Sequence, residues 1–253
     1  MTCFPYDLNH PDRSITLPDQ YKEISGLSPL ESNDCLAFVQ DEAVQVHLFD
    51  LSSRTITELV KHGDGDSEDI AVVATTAYLL KAGKQPAIYQ VNNFKSNNAH
   101  FDRHALPLDK DCDPEGLCHD VTRNRLLIAC KGSSNKKDHL RCIYVFDLQS
   151  MQMDPSPMLV LDSRDFLHDS EDAFNPSGIA IHPCSADLYV IGSKGEKMIV
   201  CYGCDGHFKE ALKLDKDQFL QPEGIAFLSS GELVISSEGK KGKKAEILIF
   251  SAS

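Results

Sequence analysis

The sequence is short of positive charge and contains no long apolar run. Its 253 residues include 25 lysines and arginines against 38 aspartates and glutamates, giving a formal net charge of −13. A nucleic-acid surface needs a basic stripe, so this balance argues against nucleic-acid partners. No apolar stretch approaches the ~18 residues of a membrane span, and the first residues have no signal-peptide pattern. We therefore expect neither a membrane span nor a nucleic-acid partner.

Helical periodicity and the common catalytic motifs are also missing from the sequence. No segment repeats its apolar residues with a 3.6-residue period, so we expect few helices. The sequence has no nucleophilic-serine motif, no phosphate-binding loop and no carboxylate pair at acid–base spacing. The acidic balance suits cation binding, although most acidic proteins are acidic for solubility.

The nine cysteines are an odd number, and most lie inside apolar, strand-like segments. Cys118, Cys130 and Cys201 are examples. This placement is typical of reduced, buried thiols in a cytosolic protein, and we predict a cytoplasmic location unless an export segment has been removed. Cys201 and Cys204 form a lone CxxC pair, for which packed thiols are a better interpretation than zinc ligands.

One short motif is written five times along the chain. Pro114–Cys118 and Pro176–Ala180 are near copies of Gln221–Phe227, and Ile24–Ser28 and Ser67–Ala71 are looser copies. We call each copy an anchor. A repeat of roughly 40–50 residues is typical of propellers and solenoids.

Aligning the five anchors makes one residue of each equivalent: Ser25, Glu68, Glu115, Ser177 and Glu223. Successive equivalent residues are 43, 47, 62 and 46 positions apart. Each anchor is followed by further short segments that are rich in β-branched and aromatic residues and separated by turn residues, which predicts four strands per repeat. We interpret residues 131–138 and 162–172, inside the longest step, as loop insertions.

The last repeat ends before its fourth strand, and the N-terminus supplies a candidate for it. Arg13–Leu17 resembles the fourth-strand segment of the first repeat, which starts at Arg54. A strand from the N-terminus that completes the last blade closes the ring and leaves no open sheet edge. The sequence therefore predicts an all-β, five-bladed propeller that forms a single domain over residues 1–253.

In such a propeller all anchors lie at one end of the central channel, which we call the anchor face. The connections on this face are the longer ones, and long loops on a rigid scaffold are where function usually lies. Glu68, Glu115 and Glu223 meet there, and Glu23 lies two residues before Ser25, on the same side of an extended chain. Carboxylates around a narrow channel repel one another unless they are protonated or bridged by a cation.

The predicted cation is Ca²⁺, because hard cations take six to eight oxygen ligands. Softer metals are less expected, since no histidine or cysteine lies at an anchor. The alternative is that Pro-Glu-Gly is only a crossover turn in which Glu caps backbone amides. Gly63–Asp69 is an acidic loop that adds a ligand or is simply solvated. Lys81 and Lys131 end second strands, where they hold an anionic ligand or are simply exposed.

The anchors and their surroundings resemble the SdiA-regulated (YjiK-like) family over roughly Leu17 to Phe250. The matching segments are Glu23–Leu27, Ser67–Val73, Glu115–Leu117 with Leu127–Gly132, Pro176–Pro183 and Gln221–Phe227. The resemblance implies a five-bladed propeller distantly related to NHL repeats, with a calcium site and no assigned activity. It does not supply individual ligands, so Glu23, Glu68, Glu115 and Glu223 rest on geometry alone. Family members often carry an N-terminal export or anchor segment, which bears on the compartment.

The leading hypothesis is a calcium-binding propeller that acts as a binding module for a small molecule or a protein at its anchor face. We expect it to be a monomer. The main alternative is a metal-dependent hydrolase, such as a lactonase, by analogy with related six-bladed propellers. A third hypothesis is a protein-interaction platform whose anchors are turns only.

Overall fold

The structure is a computed structural model that describes residues 4–32, 34–109, 111–132, 139–167, 174–240 and 242–252. Within these ranges the chain forms 21 strands and two 3-10 helices, Asp19–Tyr21 and Ser163–Asp165. The prediction of few helices is therefore confirmed. Neither helix has the length or the apolar composition needed to cross a bilayer.

The strands form five sheets, each running from the central axis to the outside. Strand β1 (Arg13–Thr16) comes first in the chain and joins the last sheet. The first blade contains β2 (Ile24–Pro29), β3 (Cys35–Gln40), β4 (Ala43–Asp50) and β5 (Ile56–Asp64). The second contains β6 (Ser67–Val73), β7 (Thr76–Lys81), β8 (Ala87–Asn92) and β9 (His100–Ala105).

The third blade contains β10 (Pro114–Asp120), β11 (Arg125–Cys130), β12 (Leu140–Asp147), β13 (Gln152–Met153) and β14 (Leu159–Asp162). The fourth contains β15 (Asn175–Ile181), β16 (Leu188–Lys194), β17 (Met198–Tyr202) and β18 (Phe208–Lys213). The last contains β19 (Pro222–Phe227), β20 (Leu233–Ser237) and β21 (Glu246–Phe250).

The N-terminal strand closes the ring, as the sequence predicts. Strand β1 pairs antiparallel with β21, with Ile15 opposite Ile247, so that the last sheet has the order β1-β21-β20-β19. The innermost strands contact one another around the axis in the order β2, β6, β10, β15, β19 and back to β2. The five-bladed propeller of four-stranded blades is thereby confirmed.

A hydrophobic cluster fills each of the five interfaces between neighbouring blades. Between the last and first blades, Ile15 and Ile247 pack with Phe38 and Phe49. The blades are therefore joined mainly by apolar packing, and each blade contributes both of its faces to the core.

The third blade departs from the predicted four strands per repeat, because its sheet has five. Its outer edge is split, because β13 pairs with one end of β12 and β14 with the other. Pro155 and Pro157 lie between the two pieces, and proline cannot donate to a strand ladder. The predicted insertion at 162–172 begins with the end of β14 and a 3-10 helix; its remainder from 168, like residues 133–138 of the other insertion, lies outside the described residues.

We expect Ile15→Ala to lower the free energy of unfolding by about 2–5 kcal/mol, because it leaves a cavity at the closing interface. Ile15 is 4% exposed in the cluster between the first and last blades. Chemical denaturation followed by circular dichroism measures the loss. The matched control is Ser14→Ala on the exposed face of the same strand, which should stay within about 0.5 kcal/mol of wild type. Equal losses in the two variants would contradict a closure that depends on β1.

Candidate functional site

Each anchor is a β-bulge in the innermost strand of its blade. Pro114 pairs with Cys130 and Gly116 pairs with Ala129, so Glu115 is an extra residue without a direct partner on β11. The same register shift occurs at the corresponding place in β2, β6, β15 and β19. A bulge bends its strand and re-aims a side chain. The five bulges therefore place the anchor side chains at one level of the channel.

The anchor glycines allow the inner strands to approach one another closely. A Cβ on Gly178 would lie 2.5 Å from the backbone oxygen of Glu223, and one on Gly224 would lie 2.8 Å from that of Ser25. Real Cβ atoms do not approach backbone so closely, so neither position accepts a side chain. The anchor glycines Gly116, Gly178 and Gly224 also lie inside strands β10, β15 and β19. The alternative that Pro-Glu-Gly is only a crossover turn is therefore wrong.

The second blade places Asp69 where the other blades have glycine. Asp69 is 2% exposed, and its Oδ2 accepts a hydrogen bond of 2.6 Å from the backbone N–H of Leu117 on the neighbouring inner strand. A Cβ on Gly26 would overlap Oδ1 of Asp69, at 1.7 Å. Burial raises the pKa of Asp69 well above its usual range, despite the backbone donors that oppose this shift. Asp69 thus links β6 to β10 and faces the glycine of β2.

Above this level, acidic side chains from three blades interact with one another. Burial, followed by repulsion from Glu115 and Asp66, raises the pKa of Glu68 to about 10. Burial also raises the pKa of Glu223, which is 8% exposed. For Glu238, burial followed by repulsion from Glu223 raises the pKa to about 8. Burial and mutual repulsion therefore both favour the protonated forms of Glu68 and Glu238.

Lys131 is the main positive charge within this cluster. Its Nζ contacts Oε1 of Glu115 and lies 3.9 Å from Oδ2 of Asp113. Burial opposes the charge of Lys131, but its interactions with Glu115 and Asp113 outweigh burial and raise its pKa. Burial raises the pKa of Glu115 although Lys131 lowers it. The prediction that Lys131 faces the anchor side is correct, but the lysine is committed to Glu115.

A disulfide holds the connection before β10 against the end of β11. Cys112 is bonded to Cys130, with Cα atoms 5.7 Å apart, and the backbone N–H of Lys131 donates to the oxygen of Asp113 at 2.7 Å. The prediction that Cys130 is a reduced thiol is therefore wrong, whereas Cys118 and Cys201 are not part of a disulfide. Disulfides persist mainly in oxidising compartments. The disulfide and this hydrogen bond together hold the backbone at Lys131 against the segment before β10.

Glu23 lies on the same face but has its own counter-charge. Its Oε1 is 3.0 Å from Nζ of Lys22, and this hydrogen bond, against the effect of burial, lowers the pKa of Glu23. Its side chain also interacts with Asp41. Burial, then repulsion from Glu23, raises the pKa of Asp41 to about 6. Glu23 therefore belongs to the edge of the cluster rather than to its centre.

Two other predicted features look different in the structure. Gly63 and Asp64 end β5 while Ser67 begins β6, so the expected acidic loop 63–69 is reduced to Gly65 and Asp66. Of that segment, Asp66 interacts with both Glu68 and Asp41. Nζ of Lys81 donates to the backbone oxygen of Ala82 at 3.0 Å. In the CxxC pair, Cys201 is buried and Cys204 is exposed, so the two do not share one environment.

Sequence reasoning missed Asp41 and Glu238, although a signal for both was present. Asp41 directly follows β3 and Glu238 directly follows β20, which are the second strands of their blades. Lys131 follows β11 in the same way. Lys81 and Lys131 are candidates because they lie at the ends of second strands, which in the structure finish at the anchor face. The same criterion, applied to the first and last blades, finds Asp41 and Glu238.

The donor set consists of hard oxygen atoms, and two of them lack a partner. Oδ1 of Asp41 and Oγ of Ser67 are buried without a hydrogen bond among the described residues. Buried polar atoms normally have a partner, so a water molecule or a cation suits this place. Within the same ranges, however, no three acidic, histidine or cysteine side chains are already arranged to hold a metal ion. The chemistry of the residues fits a hard cation, whereas their present rotamers do not enclose one.

These features define a closed five-bladed propeller with a carboxyl-lined mouth to its central channel. The SdiA-regulated family model matches residues 11–241. The chain belongs to the SdiA-regulated family, as the resemblance of its anchors implied. No curated protein matches the sequence.

Solved propeller structures are similar to the chain in fold. The PQQ-bound aldose sugar dehydrogenase of Streptomyces coelicolor has a TM-score of 0.61 and 12% identity, covering 96% of this chain and 97% of that one. A gluconolactonase of Xanthomonas campestris has a TM-score of 0.59 and 17% identity, covering 95% and 79%. A luciferin-regenerating enzyme has a TM-score of 0.57 and 12% identity, covering 96% and 95%. At these identities the likeness establishes the fold alone.

We expect Gly178→Ala to destabilise the protein by several kcal/mol, since the new methyl group would meet the backbone oxygen of Glu223 and steric overpacking costs about 1–3 kcal/mol or more. Gly63→Ala is the matched control, because a Cβ there has no atom within 4 Å. Thermal melting of both variants provides the comparison. If the Gly178 variant has the same melting temperature as the Gly63 variant and wild type, the close approach of the inner strands is not the reason that glycine is needed at position 178.

We expect the melting temperature in chelator to fall as pH rises from about 5 to 9. Glu68 and Glu238, whose pKa values are about 10 and 8 in the folded chain, release their protons near pH 4.5 when unfolded, so the folded state holds more protons across this window. Glu68→Gln removes the largest contribution and should melt about 3 °C or more above wild type at pH 9. Glu246→Gln, on β21, is the control and should follow wild type. A melting temperature that stays flat or rises with pH would contradict the buried carboxyl cluster.

Proposed function

We propose that the channel mouth binds Ca²⁺ and that the protein is a binding module whose partner docks on the anchor face. The observation that carries this proposal is the excess of buried carboxyl groups. Glu68, Glu223 and Glu238 have raised pKa values, and Lys131 offsets only part of the negative charge. A divalent cation is the simplest species that relieves such mutual repulsion.

The residues that would hold the cation are Glu68, Glu115 and Glu223, which occupy three of the five bulges. Glu238 lies close enough to Glu223 to interact with it electrostatically, and Asp41 interacts in turn with Glu238. All of these groups offer carboxylate oxygen, the donor that Ca²⁺ prefers. Glu23 is a weaker candidate, because Lys22 already neutralises it.

Binding must be coupled to two changes in the site. The glutamates have to lose their protons, and Glu115 has to exchange the ammonium group of Lys131 for the cation. Both changes follow from the interactions of the described residues, and the loss of protons makes the affinity depend on pH. Once bound, the cation supplies positive charge that polarises or orients an oxygen atom placed beside it.

The partner is expected to present an oxygen-bearing group, since a cation held from one side by the channel wall keeps coordination positions toward solvent. A carboxylate or carbonyl of a small molecule or a protein loop has this chemistry. The protein is proposed to act as a monomer in this role. Nucleic acid remains an unsuitable partner at a net charge of −13.

We expect isothermal titration calorimetry to detect Ca²⁺ binding that tightens at least about tenfold between pH 6 and pH 8, because protons leave as the cation enters. Glu223→Gln should weaken binding by about tenfold or more, since it removes one ligand charge without breaking the pair of Glu115 and Lys131. Proton release is measured in parallel, by repeating the titration in buffers of different ionisation enthalpy.

The control for this titration is Glu246→Gln, which should leave the affinity unchanged. The absence of heat at millimolar Ca²⁺, or an affinity that Glu223→Gln does not alter, would exclude the proposed site. A lactone panel assayed with and without chelator separates a binding module from the hydrolase alternative. Turnover that requires Ca²⁺ and is lost in Glu223→Gln would replace the binding-module function by lactone hydrolysis.

A further inference from the structure

The other end of the channel contains a separate cavity. It has a volume of about 610 Å³ and is lined by all five innermost strands beyond the glycine level, together with the turns that follow them. We call it the funnel. Val72 of β6, His119 of β10 and Ile181 of β15 are among the residues of its wall. None of the anchor glutamates contributes to it, so the funnel is distinct from the proposed cation site.

The wall of the funnel is mainly apolar, with hydrogen-bonding groups on its backbone. Each innermost strand has a strand partner on one side only, so its second edge faces the channel and its N–H and C=O groups lack a ladder partner there. One of these groups is already used, because the N–H of Val72 donates to Oγ of Ser28 at 3.0 Å. Apolar walls with a few directed polar groups, at 300–1,000 Å³, are typical of small-molecule sites.

Apart from Glu31 at the rim, the described side chains of the wall carry no uncompensated charge. Asp120 is bound by Arg125 at 3.0 Å and by Arg123 at 3.3 Å. Nδ1 of His182 accepts from the backbone N–H groups of Cys184 and Ser185, so its proton is on Nε2 and the ring is neutral. Burial lowers the pKa of both His119 and His182. Glu31, which is exposed, lies at the rim.

One further observation points to an occupant. At the rim, Val121 is 76% exposed, which places a large apolar side chain at the entrance. Together with the unpaired backbone edges of the inner strands, this feature suits a ligand that is apolar along its length and carries a hydrogen-bonding group.

We propose that the funnel is a second binding site, which takes an uncharged, mainly apolar small molecule with a hydrogen-bonding group. The volume and apolar wall determine the size and polarity of this ligand. The absence of an unpaired charge in the wall disfavours ions, because a charged ligand would lose hydration without gaining a counter-charge. The site works without a cation at the anchor face.

The test uses N-phenyl-1-naphthylamine, an uncharged dye that fluoresces in apolar surroundings, with the full chain in chelator. We expect saturable binding, displacement by octan-1-ol, and at least tenfold weaker displacement by octanoate and octylammonium. Val72 packs against the cluster between the first two blades and borders the funnel, so Val72→Trp adds bulk to the funnel wall and should weaken dye binding at least tenfold. Val60→Trp is the matched control, since Val60 is also a half-buried valine but lies on the outer strand β5; it should change binding less than twofold.

Three outcomes would overturn the proposal: no saturable binding, equal displacement by neutral and charged competitors, or equal effects of the two tryptophan variants. Ile181→Trp, in another wall of the funnel, repeats the test if Val72→Trp does not fold. A measurement on wild type is independent of all variants. Photolabelling with an uncharged alkyl diazirine should modify peptides that contain residues 70–74, 117–122 or 179–183, and labelling confined to other peptides would also overturn the proposal.

Discussion

The close approach of the five inner strands at one level of the channel is the constraint on which the rest of the structure depends. At this level Gly178 meets the backbone of β19, and Gly224 meets the backbone of β2. A side chain on either residue would push neighbouring blades apart and open the apolar interfaces between them. The bulge directly before each glycine absorbs the bend that the approach requires. The repeat thus places a glycine that the close packing requires directly after a bulge residue whose side chain the packing leaves free.

That free residue is glutamate in three blades, and its burial works against the stability of the fold. Carboxyl groups gathered at a narrow mouth lose hydration and repel one another. The protein offsets part of this cost with Lys131, which the disulfide between Cys112 and Cys130 holds in place. The remainder is offset by protonation of Glu68 and Glu238. A scaffold that needed the bulge only for packing has no reason to put acids there, since Ser177 occupies the equivalent bulge and donates to the backbone oxygen of Pro222 at 2.8 Å.

The fold was predictable because its information is repeated, whereas the site depends on positions that differ between repeats. Five anchors and alternating strands indicate blades, and the strand at Arg13 is recognisable from its likeness to the fourth strand of the first blade. Glu238 and Asp41 were missed because the residue that follows the second strand differs between blades, so the repeat does not mark it. The disulfide could not be predicted, since cysteine spacing alone does not determine pairing. The split edge of the third blade could not be predicted either, because Pro155 and Pro157 alone do not show that strand lies on both sides of them.

The ring is asymmetric at the glycine level, and the asymmetry fits one blade specifically to its neighbours. Asp69 replaces glycine in the second blade only, and it fits because its neighbour in the first blade is Gly26. Its carboxyl group reaches the N–H of Leu117 in the third blade, so one substitution joins three inner strands. A different neighbour would either collide with Asp69 or leave a buried carboxyl group with fewer donors. Because this residue lies at the glycine level, between the acidic mouth and the apolar funnel, it also separates two environments that would bind different ligands.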